Sequence, residues 1–273
     1  MCLLLIGYKV NVNYPIIIAA NRDEFYARET KNLYFWEQEG IFAGKDIQAG
    51  GTWLAFHRDG RFAAITNIRN PKKMDPNKLS RGLIITDFLK DTMDASHFVE
   101  TLSNYCLDYQ GFNLLVGSEQ GLFFLNSEEA VVQRLPAGVY GISNASLDTP
   151  WPKLMLAKSL FEHEITSESP SSRQMFELLK NEQHFPDYLL PETGVGAELE
   201  KLLSTVFIKS NAYGTRSSAV ILQHASGSVI FEERDHLSGQ QHILDRIGDT
   251  LNRRDFLQRA AALVGIAIHV AER

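Results

Sequence analysis

The 273-residue sequence is poor in cysteine, in positive charge and in long apolar runs, and each shortage excludes a class of protein. Two cysteines, Cys2 and Cys106, are too few for a disulfide framework or a four-cysteine zinc site, so we expect a reducing, cytoplasmic environment. With 27 basic against 33 acidic residues, the net charge of −6 argues against nucleic acid as a partner. No run approaches the ~18 apolar residues that span a bilayer, so we expect no membrane span.

Motifs for metals and nucleotides are also missing. The eight histidines form no HxH or HExxH pattern, and no Walker loop or GxSxG elbow occurs. Gly194 and Gly196 lack the third glycine of a dinucleotide fingerprint. The start, MCLLLIGYKV, has neither the basic region nor the apolar length of a signal peptide. The sequence therefore predicts no metal site and a soluble protein.

Hydrophobic patterning predicts strands, then helices, then strands, helices and strands again. Alternating apolar runs fill residues 1–68, with a hairpin turn at Asp59-Gly60 and a loop or short helix between Arg22 and Leu33. Helices are predicted after the capping residue Ser80 and over 94–107, 152–164, 171–181 and 197–204. Because helices and hairpins are grouped and do not alternate, we expect an α+β fold with layers of antiparallel sheet and helix.

The C-terminal end differs in composition from the rest. We expect one domain over residues 1–239 and a helical extension over 240–273. Within the extension, residues 253–257 and the apolar run after them resemble a twin-arginine export signal, but such signals act at the N-terminus. An amphipathic helix packed on the domain or on a partner is the simpler interpretation.

Cys2 is the strongest candidate for chemistry. Removal of Met1 would leave a thiol and an α-amine on one residue, and an α-amine has a pKa of only about 7.7–8.0. The amine is then partly unprotonated at neutral pH and can act as the base for its own nucleophile. The alternative is that Cys2 is a small buried hydrophobe at the start of a strand.

The tetrapeptide Asn21-Arg22-Asp23-Glu24 ends the second predicted strand. If the first two strands pair as a hairpin, Arg22 and Asp23 lie near Cys2. A guanidinium would favour the thiolate, and a carboxylate could orient the α-ammonium. The alternative is a surface salt bridge in a loop, which contributes little stability.

Sequence blocks distributed along residues 1–234 carry a resemblance to a known family. In chain order they are MCLLLIGY, AANRDEFYAR, GGTWLAF, ITNIRNP, SRG, GFNLLVG, GISNASLDTPWPK and GTRSSAVIL. This order resembles the NRDE family, which contains the transport and Golgi organisation protein 2 homologues. The resemblance implies a four-layer αββα sandwich like that of the N-terminal nucleophile (Ntn) hydrolases.

Penicillin V acylases and bile salt hydrolases are the better-understood enzymes that the family resembles, and they imply roles for particular residues. Arg22 and Asp23 match a catalytic arginine and aspartate, Asn67 an oxyanion-binding asparagine, Asn144 a second asparagine, and Arg216 a late arginine near the nucleophile. One departure is that Arg22 and Asp23 are adjacent, whereas the hydrolases separate the pair. Adjacent side chains of a strand point to opposite faces, so both can reach Cys2 only after the strand has ended. Glu24 or Asp46 could replace Asp23.

Three functions follow from these observations and from the resemblance. The first is an amidohydrolase in which Cys2 attacks a linear amide, without any required cofactor. The second, which the resemblance implies, is a carrier of haem, lipid or acyl-CoA, with Cys2 or His57 as a haem ligand. The third is a partner-binding scaffold without chemistry. An oligomer is possible in each case, and Arg28, Lys45 and Arg81 could form a cationic rim for an acidic ligand.

Overall fold

The computed structural model describes residues 2–73, 75 and 77–246, the side chain of the last residue excepted. Their strands are β1 Cys2–Tyr8, β2 Ile16–Phe25, β3 Thr30–Trp36, β4 Ile41–Asp46, β5 Leu54–His57, β6 Phe62–Asn67, β7 Phe112–Ser118, β8 Gly121–Asn126, β9 Val131–Leu135, β10 Gly138–Ile142, β11 Tyr213–Gln223, β12 Val229–Asp235 and β13 Gln241–Arg246. Their α-helices are α1 Ile84–Lys90, α2 Ala95–Ser103, α3 Pro152–Ile165, α4 Ser172–Leu179 and α5 Ala197–Leu202.

The strands form two antiparallel sheets. One has six strands in the order β10-β1-β2-β11-β12-β13, and the other has seven in the order β3-β4-β5-β6-β7-β8-β9. The first sheet is built from both ends of the chain, whereas the second is nearly a meander of consecutive strands. The predicted class, mixed α and β with antiparallel sheets, is confirmed.

Alternation along the strands divides the interior into three apolar cores. The first core contains side chains of both sheets, including Leu4, Ile18 and Phe56. A second core joins the seven-stranded sheet to α1 and α2, and a third joins the six-stranded sheet to α3 and α4. The odd-numbered residues of β1 therefore face α3 and α4, and the even-numbered ones face the other sheet.

Most predicted helices form where their caps and periodicity place them. Ser80 caps a short 3-10 turn, Arg81–Leu83, that leads into α1. Asp94 caps α2 by accepting hydrogen bonds from the backbone N–H groups of Ser96 and His97. Pro152 occupies the first turn of α3, where its missing N–H costs nothing.

The loop predicted between Arg22 and Leu33 is confined to residues 26–29, and the prediction is wrong for the residues on either side. Strand β2 continues through the polar tetrapeptide to Phe25, and β3 begins at Thr30. The polar residues look like the end of a strand in the sequence, but the fold buries Asn21, Arg22 and Asp23 and supplies their hydrogen-bond partners.

The predicted helical extension begins with residues that belong to the six-stranded sheet. Residues 241–246, which we expected to be helical, form β13 and pair with β12 at the edge of the six-stranded sheet. Leu244 packs against the core between the sheets, which favours strand over helix here. The twin-arginine-like stretch at 253–257 lies outside the described residues. No helix in the described part of the chain is long and apolar enough to cross a membrane.

Candidate active site

The hairpin of β1 and β2 places Cys2 directly opposite Arg22. The two residues are Cα partners in the antiparallel register, as the predicted hairpin requires. Both side chains lie on the face of the sheet that looks toward the other sheet, because Leu4 and Ala20, two positions away, belong to the core between the sheets. Cys2 is thus held by strand pairing and is 8% exposed.

A cavity of about 370 Å³ opens beside Cys2 at this end of the two sheets. Its lining includes four of the predicted site residues, Cys2, Arg22, Asp23 and Asn67. Asn67 comes from the end of β6 in the seven-stranded sheet, so the site lies between the sheets. Asn144 and Arg216 are absent from the cavity lining among the described residues.

Burial controls the protonation of the Cys2 thiol. Removal from water raises the pKa of Cys2, and the carboxylates of Asp23 and Glu24 raise it further, while the Arg22 guanidinium lowers it. The upward effects dominate, so the thiol is protonated at neutral pH. A reaction at Cys2 therefore needs a base to take the thiol proton.

Arg22 is fixed by groups from the neighbouring sheet. Its Nη1 donates to Thr30 Oγ1 at 3.0 Å and its Nη2 donates to Asp46 Oδ2 at 3.2 Å. Arg28 Nε donates to the same Asp46 oxygen at 2.6 Å. Burial alone would raise the pKa of Asp46, but the hydrogen bonds from Arg28 and from the Ala49 N–H, together with the charges of both arginines, outweigh burial and lower it. The ionised Asp46 thus holds two arginines in place, and none of these hydrogen bonds involves Cys2.

Asp23 lies on the opposite face of β2 from Arg22, as strand alternation requires when the strand continues. Its Oδ1 accepts a hydrogen bond from Thr215 Oγ1 at 2.7 Å. Burial raises the pKa of Asp23, and the ammonium of Lys153 and the Thr215 hydroxyl oppose that rise. Asp23 therefore belongs to a buried polar network behind the strand, although it also borders the cavity.

Lys153 is the main residue of this region that sequence reasoning missed. It is 3% exposed, and its Nζ donates to the carbonyl oxygen of Leu203 at 2.8 Å. Burial lowers the pKa of Lys153 to about 8, against the attraction of Asp23. The signal in the sequence is its spacing, because Lys153 shares a helix face with the buried Ala157 and Phe161. A lysine in the first turn of a helix is also unfavourable for the helix dipole.

Asn144 holds the side chain of Asn67. Its Nδ2 donates to both the backbone oxygen and Oδ1 of Asn67, each at 3.1 Å. With Oδ1 thus occupied, the NH₂ group of Asn67 has no protein partner among the described residues and is available to a molecule in the cavity that Asn67 lines. The structure brings these two predicted residues together, with Asn67 at the cavity and Asn144 behind it.

Arg216 is not brought to Cys2. A bulge interrupts the pairing of β11 with β2 between Thr215 and Ser217, so Arg216 has no partner residue on β2. Its Nη1 donates to the backbone oxygen of Tyr26 at 2.8 Å, and its buried Nε has no hydrogen-bond partner within the described part of the chain. Arg81, unlike Arg216, lines the cavity, and its guanidinium interacts electrostatically with Cys2.

Of the two residues predicted as haem ligands, one lies at the cavity. Cys2 lines it, whereas His57 does not: the His57 ring contacts the Glu39 carbonyl oxygen at 3.0 Å and Asp59 Oδ1 at 2.8 Å. The described residues contain no group of three or more histidine, cysteine, aspartate or glutamate side chains that could hold a metal ion.

Comparisons with known proteins agree on one family. The family model for "Transport and Golgi organisation 2" matches residues 1–238. The Transport and Golgi organization 2 homolog of Mus musculus is 34% identical over 243 residues, covering 82% of this chain and 87% of that protein. Transport and Golgi organization protein 2 of Drosophila melanogaster is 31% identical over 250 residues, covering 81% and 86%.

A solved structure with a similar chain path is the Caenorhabditis elegans ortholog of N-acylethanolamine-hydrolyzing acid amidase. The two share 11% sequence identity with a TM-score of 0.48, and the match covers 81% of this chain and 92% of the other. The family assignment depends on the family model and the relatives and not on this structural similarity. The chain belongs to the transport and Golgi organisation 2 family.

Proposed function

We propose that this protein is an N-terminal-nucleophile amidohydrolase that cleaves a linear amide with Cys2 after removal of Met1. One observation carries the proposal: Cys2 begins a buried strand at a cavity that Asn67 of the opposite sheet also lines, and the Asn67 NH₂ group has no hydrogen-bond partner among the described residues. A nucleophile and an oxyanion donor facing one space are the minimum that acyl transfer needs.

The reaction runs in two steps. The Cys2 Sγ attacks the amide carbonyl carbon while its proton passes to the α-amine of Cys2, and Asn67 donates to the oxygen that becomes negative. The C–N bond then breaks, the leaving amine takes the proton from the α-ammonium, and a thioester remains on Cys2. Water, activated by the same α-amine, hydrolyses the thioester to a carboxylic acid and restores the thiol.

The surroundings of Cys2 suit the transfer of a proton from its thiol to its α-amine. Burial disfavours a free thiolate at Cys2, so the base and the nucleophile act together. Arg22, opposite Cys2, stabilises the thiolate as it forms. We propose that Asp23, which also borders the cavity, orients the α-ammonium.

Non-covalent carriage of a haem, lipid or acyl ligand in the same cavity is the competing explanation. The names of the relatives refer to transport and Golgi organisation, and carriage requires neither a free α-amine nor a nucleophile. The two explanations differ in what they demand of Cys2, so the decisive experiment concerns that residue.

The test combines intact mass, thiol labelling and an amide screen on untagged protein. Loss of Met1, faster labelling of Cys2 than of Cys106, and amide cleavage that Cys2→Ala abolishes are the expected results. Cys106→Ala is the matched control, because the Cys106 thiol is fully buried and bonded to the carbonyl oxygens of Ser103 and Ser127. Retained Met1, or Cys2 no more reactive than Cys106, would overturn the proposal and favour carriage.

A further inference from the structure

The cavity wall that faces Cys2 is formed by residues 78–82. This segment is held in place through its backbone: Leu79 N–H donates to the Asp108 carbonyl oxygen at 2.9 Å, and the Gly82 carbonyl oxygen accepts from Thr52 N–H at 3.1 Å. A side chain at Gly51 would place its Cβ 1.9 Å from the Gly82 oxygen, so the contact requires glycine. The wall is therefore a fixed part of the site and not a loose loop.

Most charged side chains around the cavity neutralise one another. Arg22 and Arg28 both contact Asp46 Oδ2, at 3.2 and 2.6 Å, and Glu24 lies 3.8 Å from each arginine. Asp23 is hydrogen-bonded to Thr215 on the far side of the strand. These pairs account for the acidic residues that line the cavity.

Two cations on the wall have no such partner. Lys78 and Arg81 both line the cavity, and neither has a carboxylate oxygen within 4 Å in the described part of the chain. Arg81 is half-buried, and burial lowers its pKa against the attraction of Cys2 and Glu24. A guanidinium removed from water without an anion is costly, and a ligand that supplies the anion recovers that cost.

We propose that Arg81, assisted by Lys78, binds an anionic group of the substrate, so that the preferred substrates are amides carrying a carboxylate or phosphate. The planar guanidinium matches the two oxygens of either group, and the ammonium adds charge without demanding a geometry. This inference rests on the proposed function, because the bound amide is a substrate only if the protein hydrolyses amides. The binding itself can be measured without turnover.

The experiment measures equilibrium binding to the Cys2→Ala protein, which cannot form a thioester. The ligands are three amides with the same acyl chain: N-hexanoylglycine, N-hexanoyl-O-phosphoethanolamine and the neutral N-hexanoylethanolamine. We expect at least one anionic amide to bind about tenfold or more tightly than the neutral one, as a charge-assisted hydrogen bond allows. Comparison of the affinities for the carboxylate and the phosphate ligand shows which anion the site prefers.

Substitution of Arg81 assigns the preference to the wall. In the same background, Arg81→Gln should remove most of the preference for the anionic amide and leave the affinity for N-hexanoylethanolamine within about twofold. Arg173→Gln is the matched control, because Arg173 is exposed on α4 and does not line the cavity. Arg81→Lys keeps the positive charge but loses the forked geometry of the guanidinium, so it should retain part of the preference. It is the variant to measure if Arg81→Gln does not fold.

Failure of this inference and failure of the proposed function have different signatures. Equal binding of anionic and neutral amides, or a preference that Arg81→Gln and Arg81→Lys leave intact, overturns the anion site even if the wild-type protein cleaves amides. An Arg81-dependent preference in a protein that cleaves none of the three amides supports the anion site and counts against the hydrolase.

Discussion

The two faces of strand β2 carry polar side chains in alternation, and the fold uses them differently. Arg22 and Glu24 face the other sheet, next to Cys2 and the cavity, where an incoming molecule can reach them. Asn21 and Asp23 face α3 and α4, where protein groups supply their hydrogen bonds. We call the side with Arg22 and Glu24 the open face, which is suited to chemistry. The side with Asn21 and Asp23 is the closed face, which holds the strand in place.

The difference between the faces is a difference in partners. Asn21 Nδ2 donates to the carbonyl oxygens of Leu179 and Val206, at 2.8 and 2.9 Å, and its Oδ1 accepts from Ser218 Oγ at 2.6 Å. The side chain of Asn67 borders the cavity, and its NH₂ group has no hydrogen-bond partner among the described residues. Saturated hydrogen bonding marks a group used for stability, and an open donor beside a nucleophile marks a group available to a ligand.

The largest expected effect concerns the closed face. Asn21→Ala should lower the free energy of unfolding by about 3–5 kcal/mol, because it removes three buried hydrogen bonds, two to backbone carbonyl oxygens and one from the Ser218 hydroxyl. Urea unfolding measures the loss. Asn104→Ala, which removes a single hydrogen bond on the surface, should cost less than about 1 kcal/mol. A change at Asn21 as small as at Asn104 would contradict the structural role of the closed face.

The second prediction concerns the open face. Asn67→Ala should lower kcat for amide hydrolysis by about 10²–10³-fold, or 2.7–4 kcal/mol in the barrier, through loss of the oxyanion donor. Asn144→Ala should have a smaller effect in the same direction, because it removes the two bonds that orient Asn67.

The control for this pair is Asn70→Ala, since Asn70 contacts Glu128 and does not line the cavity. Steady-state kinetics with one amide measures all three variants. If Asn67→Ala and Asn70→Ala have the same kcat as the wild type, the open face has no catalytic donor and its contrast with the closed face disappears.

The third prediction tests the charge behind the strand. Lys153 has an ordinary pKa of 10.5 when unfolded, and burial lowers it to about 8 in the folded protein. Between pH 8 and 10.5 the unfolded chain binds more protons at this site, so folding stability at this residue rises with pH. Relative to Lys153→Met, the wild type should gain up to roughly 3 kcal/mol across that range. Urea unfolding of both proteins at pH 7.5 and pH 10 checks it, and parallel pH courses would contradict it.

Sequence reasoning predicted the parts of this arrangement that depend on local pattern. The hairpin that pairs Cys2 with Arg22 and the capped helices α2 and α3 follow from periodicity and capping. The location of Cys2, Arg22, Asp23 and Asn67 at one cavity came from the family resemblance together with that hairpin.

The remainder depends on contacts between distant residues. The sequence could not show that β2 continues to Phe25, because the partners of Asn21 and Asp23 come from residues more than 150 positions away. The bulge that sets Arg216 out of register is likewise a product of strand pairing. Lys153 is buried and donates to the carbonyl oxygen of Leu203, which is 50 residues away, and the spacing of Lys153 alone indicates this burial only weakly.

The smallest expected effect links the two faces through Asp23. Thr215 Oγ1 donates to Asp23 Oδ1 at 2.7 Å and accepts the Ile208 N–H at 2.9 Å, so Thr215→Val keeps the shape and removes both bonds. We expect a loss of about 2 kcal/mol in the free energy of unfolding, which urea unfolding measures. Thr215→Ser keeps the hydroxyl and should lose little beyond one buried methyl group.

The same substitution separates a structural carboxylate from one that takes part in the reaction. The Thr215 hydrogen bond lowers the pKa of Asp23, so Thr215→Val raises it further above its ordinary value. If the ionised Asp23 orients the α-ammonium, the acid limb of kcat/KM against pH moves to higher pH in Thr215→Val and stays in place in Thr215→Ser. An acid limb that does not move, in a variant that has lost the expected stability, would confine Asp23 to the closed face and leave the orientation of the amine to Glu24 on the open one.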